Sequence, residues 1–188
     1  MGARPEESTR LAGVFLARHG ETDYNAQGRF QGLGPVPLNA LGRQQAEQLA
    51  KLAAPKGFRE LWCSPLVRAR ETADIVGARL GLEPIEDGRL VETDTGCWTD
   101  RTFASVSAEN PEGFAAFERA DPEFAFPGGE SFQHQTERVM QALDEIARRP
   151  TPVLVVCHGM AIRLVLTALG RPVASVPNAA LIDCGPRG

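Results

Sequence analysis

The segment that most constrains the fold is an uninterrupted apolar run near the carboxyl end, Val153-Leu154-Val155-Val156-Cys157. A short run rich in β-branched residues predicts a strand covered on both faces, as in the parallel sheets of α/β proteins. The run ends at His158-Gly159, and the apolar residues that follow predict a helix over residues 160–169. A strand of this kind needs covering layers on both sides, so the run predicts an α/β fold.

Two other predicted strands also end in polar or charged residues. Residues 11–17 lead into Arg18-His19, and residues 59–63 lead into a helix with Arg68 in its first turn. Because the carboxyl ends of parallel strands lie at one edge of a sheet, these side chains should meet His158 there. The amino ends of the following helices would add N–H donors for an anion.

Capping and turn residues set the expected boundaries of the helices. Asn39 should cap a helix that runs to residue 52, and Ser64 should cap the next helix, with Pro65 in its first turn. A break at Asn110-Pro111 divides residues 104–120 into one or two helices, and Ser131 opens a helix that runs to residue 148. Short strands are predicted at residues 82–87 and 179–184, with residues 25–38 and 88–100 irregular.

The residues at the strand ends suit phosphoryl chemistry. An arginine fork matches a phosphate group, and an unprotonated histidine such as His19 can attack phosphorus. The reaction also needs a carboxylic acid that protonates the leaving oxygen. Glu92 is the best candidate, because it lies in an irregular segment between two elements that lead to the site, whereas spacing alone leaves Glu21, Asp94 and Asp100 open. A histidine at a strand end is more often structural, so these residues alone leave the chemistry a hypothesis.

Composition limits the class of protein. A chain of 188 residues with 43% hydrophobic residues and a net charge of −4 predicts a single globular domain over 1–188. The modest acidity argues against nucleic acid as a partner, and no apolar run is long enough to span a membrane. Within this domain we expect residues 1–10 to be a solvated tail and residues 94–130 to be a helical cap rich in phenylalanine.

The four cysteines are widely spaced and form no CxxC pair, and the chain has only three histidines. This pattern predicts neither a disulfide framework nor a structural zinc site, and it favours reduced thiols in a cytoplasmic protein. Cys157, beside His158, is interpreted as a core residue rather than a catalytic thiol.

The order of the motifs resembles the histidine phosphatase superfamily, in its phosphoglycerate-mutase-like branch. The segment Arg18-His19-Gly20-Glu21-Thr22-Asp23-Tyr24-Asn25 is similar to the RHGETxxN signature of that family. The resemblance continues through most of the chain, in segments 28–32, 37–46, 64–73, 90–98, 127–131 and 155–159. It implies a three-layer sandwich in which helices flank a mostly parallel central sheet.

The resemblance also assigns roles to individual residues. It implies a phosphohistidine on His19, with Glu92 as general acid and base, and with no metal and no cofactor. The catalytic set that it implies is Arg18, His19, Arg68, Glu92 and His158. The phosphate- and substrate-binding set is Arg18, Thr22, Asn25, Gln31, Arg68, His158 and Gly159. The expected partner is a small-molecule phosphate ester, and a homodimer is left open.

Within the family the chain looks like the compact phosphatases. Cofactor-dependent mutases carry a tyrosine three residues after the acid and a lysine eleven residues after it, where this chain has Thr95 and Phe103. A later arginine pair is also missing, because residues 104–126 contain only Arg119. Two departures from the family pattern, Pro35 and Thr99-Asp100, lie off the catalytic residues and bear on substrate fit or loop shape.

We therefore expect a metal-independent phosphomonoesterase. The alternatives are a phosphoglycerate mutase or sugar bisphosphatase, and a catalytically dead module that binds phosphorylated ligands. The phenylalanine-rich cap favours an apolar leaving group, while the identity of the substrate is not readable from the sequence.

Overall fold

In the computed structural model, residues 10–186 are described, and they contain a five-stranded sheet with the order β3-β2-β4-β1-β5. The strands are β1 (Val14–Arg18), β2 (Glu60–Cys63), β3 (Pro84–Glu86), β4 (Val153–Cys157) and β5 (Leu181–Asp183). The first four strands are parallel, and β5 pairs antiparallel with β1 at one edge. All five residues of β4 are buried, so the apolar run lies at the centre of the sheet, as predicted.

Seven α-helices are present in the described chain. They are α1 (Asp23–Ala26), α2 (Ala40–Ala53), α3 (Val67–Leu80), α4 (Phe103–Glu109), α5 (Pro111–Glu118), α6 (Phe132–Ile146) and α7 (Gly159–Ala168). Apolar residues of α2 and α3 pack with Leu154 and Val156 on one face of the sheet. Those of α6 and α7 pack with Val153 and Val155 on the other face. This arrangement confirms the three-layer α/β prediction.

The segment predicted as a helical cap contains α4 and α5, which meet at Asn110. The Asn110 side chain accepts a hydrogen bond from the Gly113 N–H and so caps α5. A separate apolar cluster lies here and extends to α6 and α7. Its buried members are Phe30, Trp98, Val106, Ala120, Phe124, Phe126, Phe132 and Leu164. Phe114 and Phe117 pack against it.

Several boundaries differ from the prediction. The first strand begins at Val14, because Leu11 to Gly13 form a turn in which Gly13 has a φ of +78°. The short helix α1 was missed, because its four residues are too few to show a helical period. Ser64 does not cap α3: the N-cap is Leu66, without a side-chain hydrogen bond.

The amino-terminal tail prediction falls mostly on residues 1–9, which lie outside the described residues. Arg10, its last residue, donates a bidentate pair of hydrogen bonds to the carboxylate of Asp144 in α6. No helix in the described range 10–186 is both long and apolar enough to cross a membrane.

A contact between two glycines fixes the chain just after His19. A Cβ built on Gly20 would lie 2.2 Å from the Gly42 carbonyl oxygen, and one on Gly42 would lie 2.0 Å from the Glu21 carbonyl oxygen. The start of α2 therefore packs backbone against backbone on the loop that follows β1. The side chain of Gln45 also holds this loop, since its Oε1 accepts the Glu21 N–H at 2.8 Å.

We predict that Gly42→Ala lowers the free energy of unfolding by about 1–3 kcal/mol, because the new methyl group must displace backbone. The measurement is urea unfolding followed by circular dichroism. Gly88→Ala is the matched control, because a Cβ there meets nothing within 4 Å and φ is not positive. Equal stability of the two variants would contradict the packing role of this contact.

Candidate active site

Two histidines meet at the carboxyl edge of the sheet, as the positions of β1 and β4 require. The backbone N–H of His19 donates to the backbone carbonyl of Cys157 at 3.0 Å and so extends the pairing of β1 with β4. The ring centroids of His19 and His158 lie 5.3 Å apart, and the two residues are 2% and 0% exposed. Both rings are therefore inside the protein.

The tautomer of His19 follows from its neighbour. Its Nδ1 lies 2.7 Å from the carbonyl oxygen of Gly20, which can only accept a hydrogen bond. Nδ1 therefore carries the proton in the neutral ring, and the lone pair is on Nε2. A histidine held in this way presents Nε2 as a nucleophile.

His158 is held from the neighbouring strand β2. Its Nε2 lies 2.7 Å from Oγ of Ser64, the residue directly after β2. Ser64 was expected to cap a helix, but its hydroxyl instead orients this ring. Nδ1 of His158 is buried, and no partner for it exists among the described residues. A buried nitrogen without a partner is uncommon in a folded protein.

Two arginines, Arg68 fully buried and Arg18 partly buried, make the site positive. Arg18 donates to the Val176 carbonyl at 2.6 Å, and Arg68 donates to the Gly34 and Gly32 carbonyls at 3.0 and 2.8 Å. Burial lowers the pKa of Arg68 to about 10, and it also lowers the pKa of Arg18. Both groups still carry their charge at neutral pH. Their Nε atoms have no partner in the described part of the chain, so both can bind an anion.

The same charges keep the histidines neutral. Burial lowers the pKa of His19 well below its usual value, and the positive charges of Arg68 and Arg18 lower it further. The pKa of His158 is lowered by burial, by Arg68 and by the other nearby cations. His19 therefore has its nucleophilic lone pair free at neutral pH.

Glu92 lies at the amino end of α7, beside these cations. Its Oε2 accepts the Met160 N–H at 3.2 Å, and its Oε1 accepts the Thr93 and Ala161 N–H groups at 3.0 and 3.3 Å. The positive end of the helix dipole favours a carboxylate in this place. Arg138 of α6 donates to the carbonyls of Arg89, Val91 and Glu92 and so fixes the segment that carries the acid.

The three competing carboxylates lie elsewhere. Glu21 accepts from Asn39 Nδ2 at 2.9 Å, Asp94 from the Gly96 N–H at 2.9 Å, and Asp100 from the Tyr24 hydroxyl at 2.8 Å. None of the three lines the cavity that contains His19. Among the four candidates for the acid, only Glu92 shares this cavity with His19.

A cavity of about 500 Å³ opens onto these groups. The candidate site residues in its wall are Arg18, His19, Asn25, Gln31, Arg68, Glu92 and Gly159. Gly159 allows a close approach, since a Cβ there would lie 3.1 Å from Nε of Arg18. His158 and Thr22 are not in the wall. His158 packs against His19 from behind.

Thr22 acts within the loop rather than in the cavity. It caps α1 in a reciprocal capping box with Asn25, and its hydroxyl donates to Oε1 of Gln31 at 2.9 Å. Asn178, which the sequence prediction missed, donates to the His19 carbonyl at 3.1 Å and to Asn25 Oδ1 at 3.2 Å. The loop that holds His19 and Asn25 is thus tied to the segment before β5.

The outer part of the cavity is mainly apolar. Its aromatic and apolar wall contains Phe30, Phe103, Phe114, Phe117, Phe126 and Met160. Two further cations, Arg29 and Arg163, also line it and were not predicted. The guanidinium of Arg163 is held by the carbonyls of Glu118 and Val173.

Cys157 takes no part in this chemistry. It is fully buried on the sheet, and burial raises the pKa of its thiol. The prediction of a core residue is therefore confirmed.

Comparison with known proteins gives the chain its family. A protein of Klebsiella pneumoniae described as a probable phosphoglycerate mutase, GpmB, is 37% identical over 174 residues, which cover 91% of this chain and 81% of that protein. The mycobacterial glucosyl-3-phosphoglycerate phosphatase, in a structure with VO3, superposes with a TM-score of 0.80 at 34% identity and covers 89% of this chain and 90% of its own.

A phosphoglycerate mutase from Thermus thermophilus superposes with a TM-score of 0.75 at 31% identity, over 89% of this chain and 90% of that chain. The family model of the histidine phosphatase superfamily, branch 1, matches residues 14–185. Because this match spans both histidine-bearing strand ends and all five strands of the sheet, the chain belongs to the histidine phosphatase superfamily.

Proposed function

We propose that this protein is a metal-independent phosphatase that hydrolyses small phosphomonoesters through a phosphohistidine on His19. The observation that carries the proposal is the neutral His19, with Nε2 free, in one cavity with Arg18 and Arg68. Family membership supports a phosphatase or a mutase, and the proposal chooses the phosphatase.

In the first step, Nε2 of His19 attacks phosphorus and the bond from phosphorus to the ester oxygen breaks. Glu92, in its protonated form, gives its proton to the leaving oxygen. Arg18 and Arg68 bind the equatorial oxygens and offset the charge that would repel the nucleophile. The family resemblance assigns His158 to the same phosphoryl group, but in the structure its ring lies against that of His19 and is not in the cavity wall. We therefore propose that His158 acts first by supporting the ring of His19.

In the second step, water attacks the phosphohistidine. Glu92, now a carboxylate, accepts a proton from this water, and the bond from phosphorus to Nε2 breaks. His19 returns to its neutral form with the proton still on Nδ1, and inorganic phosphate leaves. Each step uses the acid in the form that the previous step left behind.

The lining of the outer cavity favours hydrolysis over mutase chemistry. Thr95 lies in the wall, as does Phe103, and these are the two places where the related mutases carry a tyrosine and a lysine. Arg119 is not in the wall of the cavity. Its side chain is exposed, and its Nη2 lies 3.9 Å from Oδ2 of Asp121. A substrate carboxylate would therefore miss these mutase contacts, although Arg29 and Arg163 remain as cations in the wall.

We further propose that residues 94–130 act as a cap that selects the leaving group. Phe103, Phe114, Phe117 and Phe126 come from this segment and give one side of the cavity an apolar surface. Such a surface binds an aromatic or aliphatic leaving group through burial of apolar area. A highly charged leaving group would lose its hydration without finding enough partners.

The first test of the proposed function is hydrolysis of 4-nitrophenyl phosphate in the presence of EDTA. We expect His19→Ala to lower kcat by more than about 10³-fold, because the covalent step is lost. The matched control is His134→Ala, since His134 is an exposed histidine outside the cavity. Unchanged hydrolysis by His19→Ala, or tight phosphate-ester binding without turnover by the wild type, would refute the phosphatase.

A second test separates phosphatase from mutase. With 3-phosphoglycerate and a trace of 2,3-bisphosphoglycerate, we expect less isomerisation than release of inorganic phosphate, and a kcat/KM at least about tenfold below that for phenyl phosphate. Phosphate release is measured by colorimetry and isomerisation by a coupled assay. Isomerisation that outpaces hydrolysis would establish the mutase instead.

A third test concerns stability and pH. The unfolded chain takes up protons on histidine near pH 6.5, whereas burial keeps His19 and His158 neutral in the folded protein. The unfolded state therefore binds more protons below that pH, and stability must fall as the pH falls. Between pH 7.5 and 5.5 we expect a loss of about 1.4 kcal/mol for each of the two histidines.

Urea unfolding at the two pH values measures this loss. The double variant His19→Gln, His158→Gln removes both titrating rings, so its stability should change much less over the same range. A variant with the same pH dependence as the wild type would show that other groups are responsible.

A further inference from the structure

We propose that Gln135 is a positioning residue for the acid: its amide holds one oxygen of Glu92 and so places the proton on the other. Gln135 belongs to α6 and is fully buried. Its Nε2 donates to Oε1 of Glu92 at 3.0 Å. The inference rests on the proposed function, in which Glu92 protonates the leaving group.

The Gln135 amide is bonded on its other side by Thr93. The Thr93 hydroxyl, which is also buried, donates to Oε1 of Gln135 through a short hydrogen bond. Because the carboxylate of Glu92 can only accept, the amide presents its NH₂ group to Glu92, and the contact with Thr93 holds it there. Both side-chain contacts of Gln135 therefore lead to the two-residue segment that carries the acid.

The two oxygens of Glu92 have different surroundings. Oε1 faces three donors: the Thr93 N–H at 3.0 Å, the Gln135 amide at 3.0 Å and the Ala161 N–H at 3.3 Å. Oε2 accepts one N–H, from Met160 at 3.2 Å. A carboxylate oxygen has two lone pairs, so Oε1 has no place for a proton. Protonation therefore occurs on Oε2, which becomes the donor to the leaving oxygen.

A purely structural role explains Gln135 poorly. A leucine or methionine would fill the same buried space without the cost of removing an amide from water. Here the partners of the amide are the acid itself and its neighbour Thr93. The cost of burial is thus offset by contacts that define the geometry of the acid.

The test compares Gln135→Met with the wild type on two aryl phosphates of similar shape. Phenyl phosphate has a poor leaving group and needs the proton from Glu92, whereas 4-nitrophenyl phosphate leaves readily without it. For both, kcat/KM reports the step that releases the phenol. We expect Gln135→Met to lower kcat/KM for phenyl phosphate about tenfold more than for 4-nitrophenyl phosphate.

The ratio of the two kcat/KM values does not depend on how much of the sample is folded. Gln133→Met is the matched control, because Gln133 is an exposed glutamine of the same helix that bonds to Glu137. It should leave the ratio unchanged. Equal losses on both substrates in Gln135→Met, or the same change of ratio in Gln133→Met, would overturn the inference.

Thr93→Val provides a second variant if Gln135→Met yields no folded protein. It keeps the shape of residue 93 but frees the Gln135 amide to rotate, so a change of ratio in the same direction is expected and an unchanged ratio overturns the inference. The proposed function fails separately, if His19→Ala hydrolyses both esters as fast as the wild type.

Discussion

The site depends on two guanidinium groups, Arg68 fully buried and Arg18 partly buried. Within the described residues, both are held by backbone carbonyls and neither forms a salt bridge, and the carboxylate whose charge acts on both is Glu92. Removing two like charges from water is costly, so the fold must supply the energy to hold them there. Glu92 offsets one of the two charges, and an anionic ligand would offset the other. The neutrality of His19 and His158 follows from the same two charges and from burial.

The sheet is what brings these charges together. Arg18 and His19 come from the end of β1 and His158 from the end of β4, and the parallel pairing of these two strands places them side by side. The next strand, β2, supplies Ser64 to orient His158 and leads into the helix that carries Arg68. Glu92 is added from a segment without regular structure, which is held by the amino end of α7 and by α6. Rigid elements thus fix every group that the proposed reaction uses.

Family membership and the lining of the cavity bear on different parts of the function. Similar proteins include a probable phosphoglycerate mutase and a glucosyl-3-phosphoglycerate phosphatase, so family membership leaves both reactions open. The end of the cavity that holds Arg18, His19 and Arg68 suits either of the two proposed reactions. The difference lies in the rest of the wall, which contains five phenylalanines and the two further cations Arg29 and Arg163. The proposed preference for hydrolysis of esters with apolar leaving groups therefore depends on this outer wall.

Short patterns of polarity and the order of the motifs were enough to predict the α/β class, the central strand, the caps at Asn39 and Ser131, and the family. They also placed Arg18, Arg68 and the two histidines at one sheet edge. Spacing left Glu92 in competition with Glu21, Asp94 and Asp100, and the family resemblance pointed to Glu92. The folded chain agrees, since Glu92 alone of the four lines the cavity that contains His19. The roles of Ser64, Asn178 and Gln135 likewise came from the structure. Each of these side chains acts on a residue more than forty positions away, and no local pattern in a single sequence encodes such a contact.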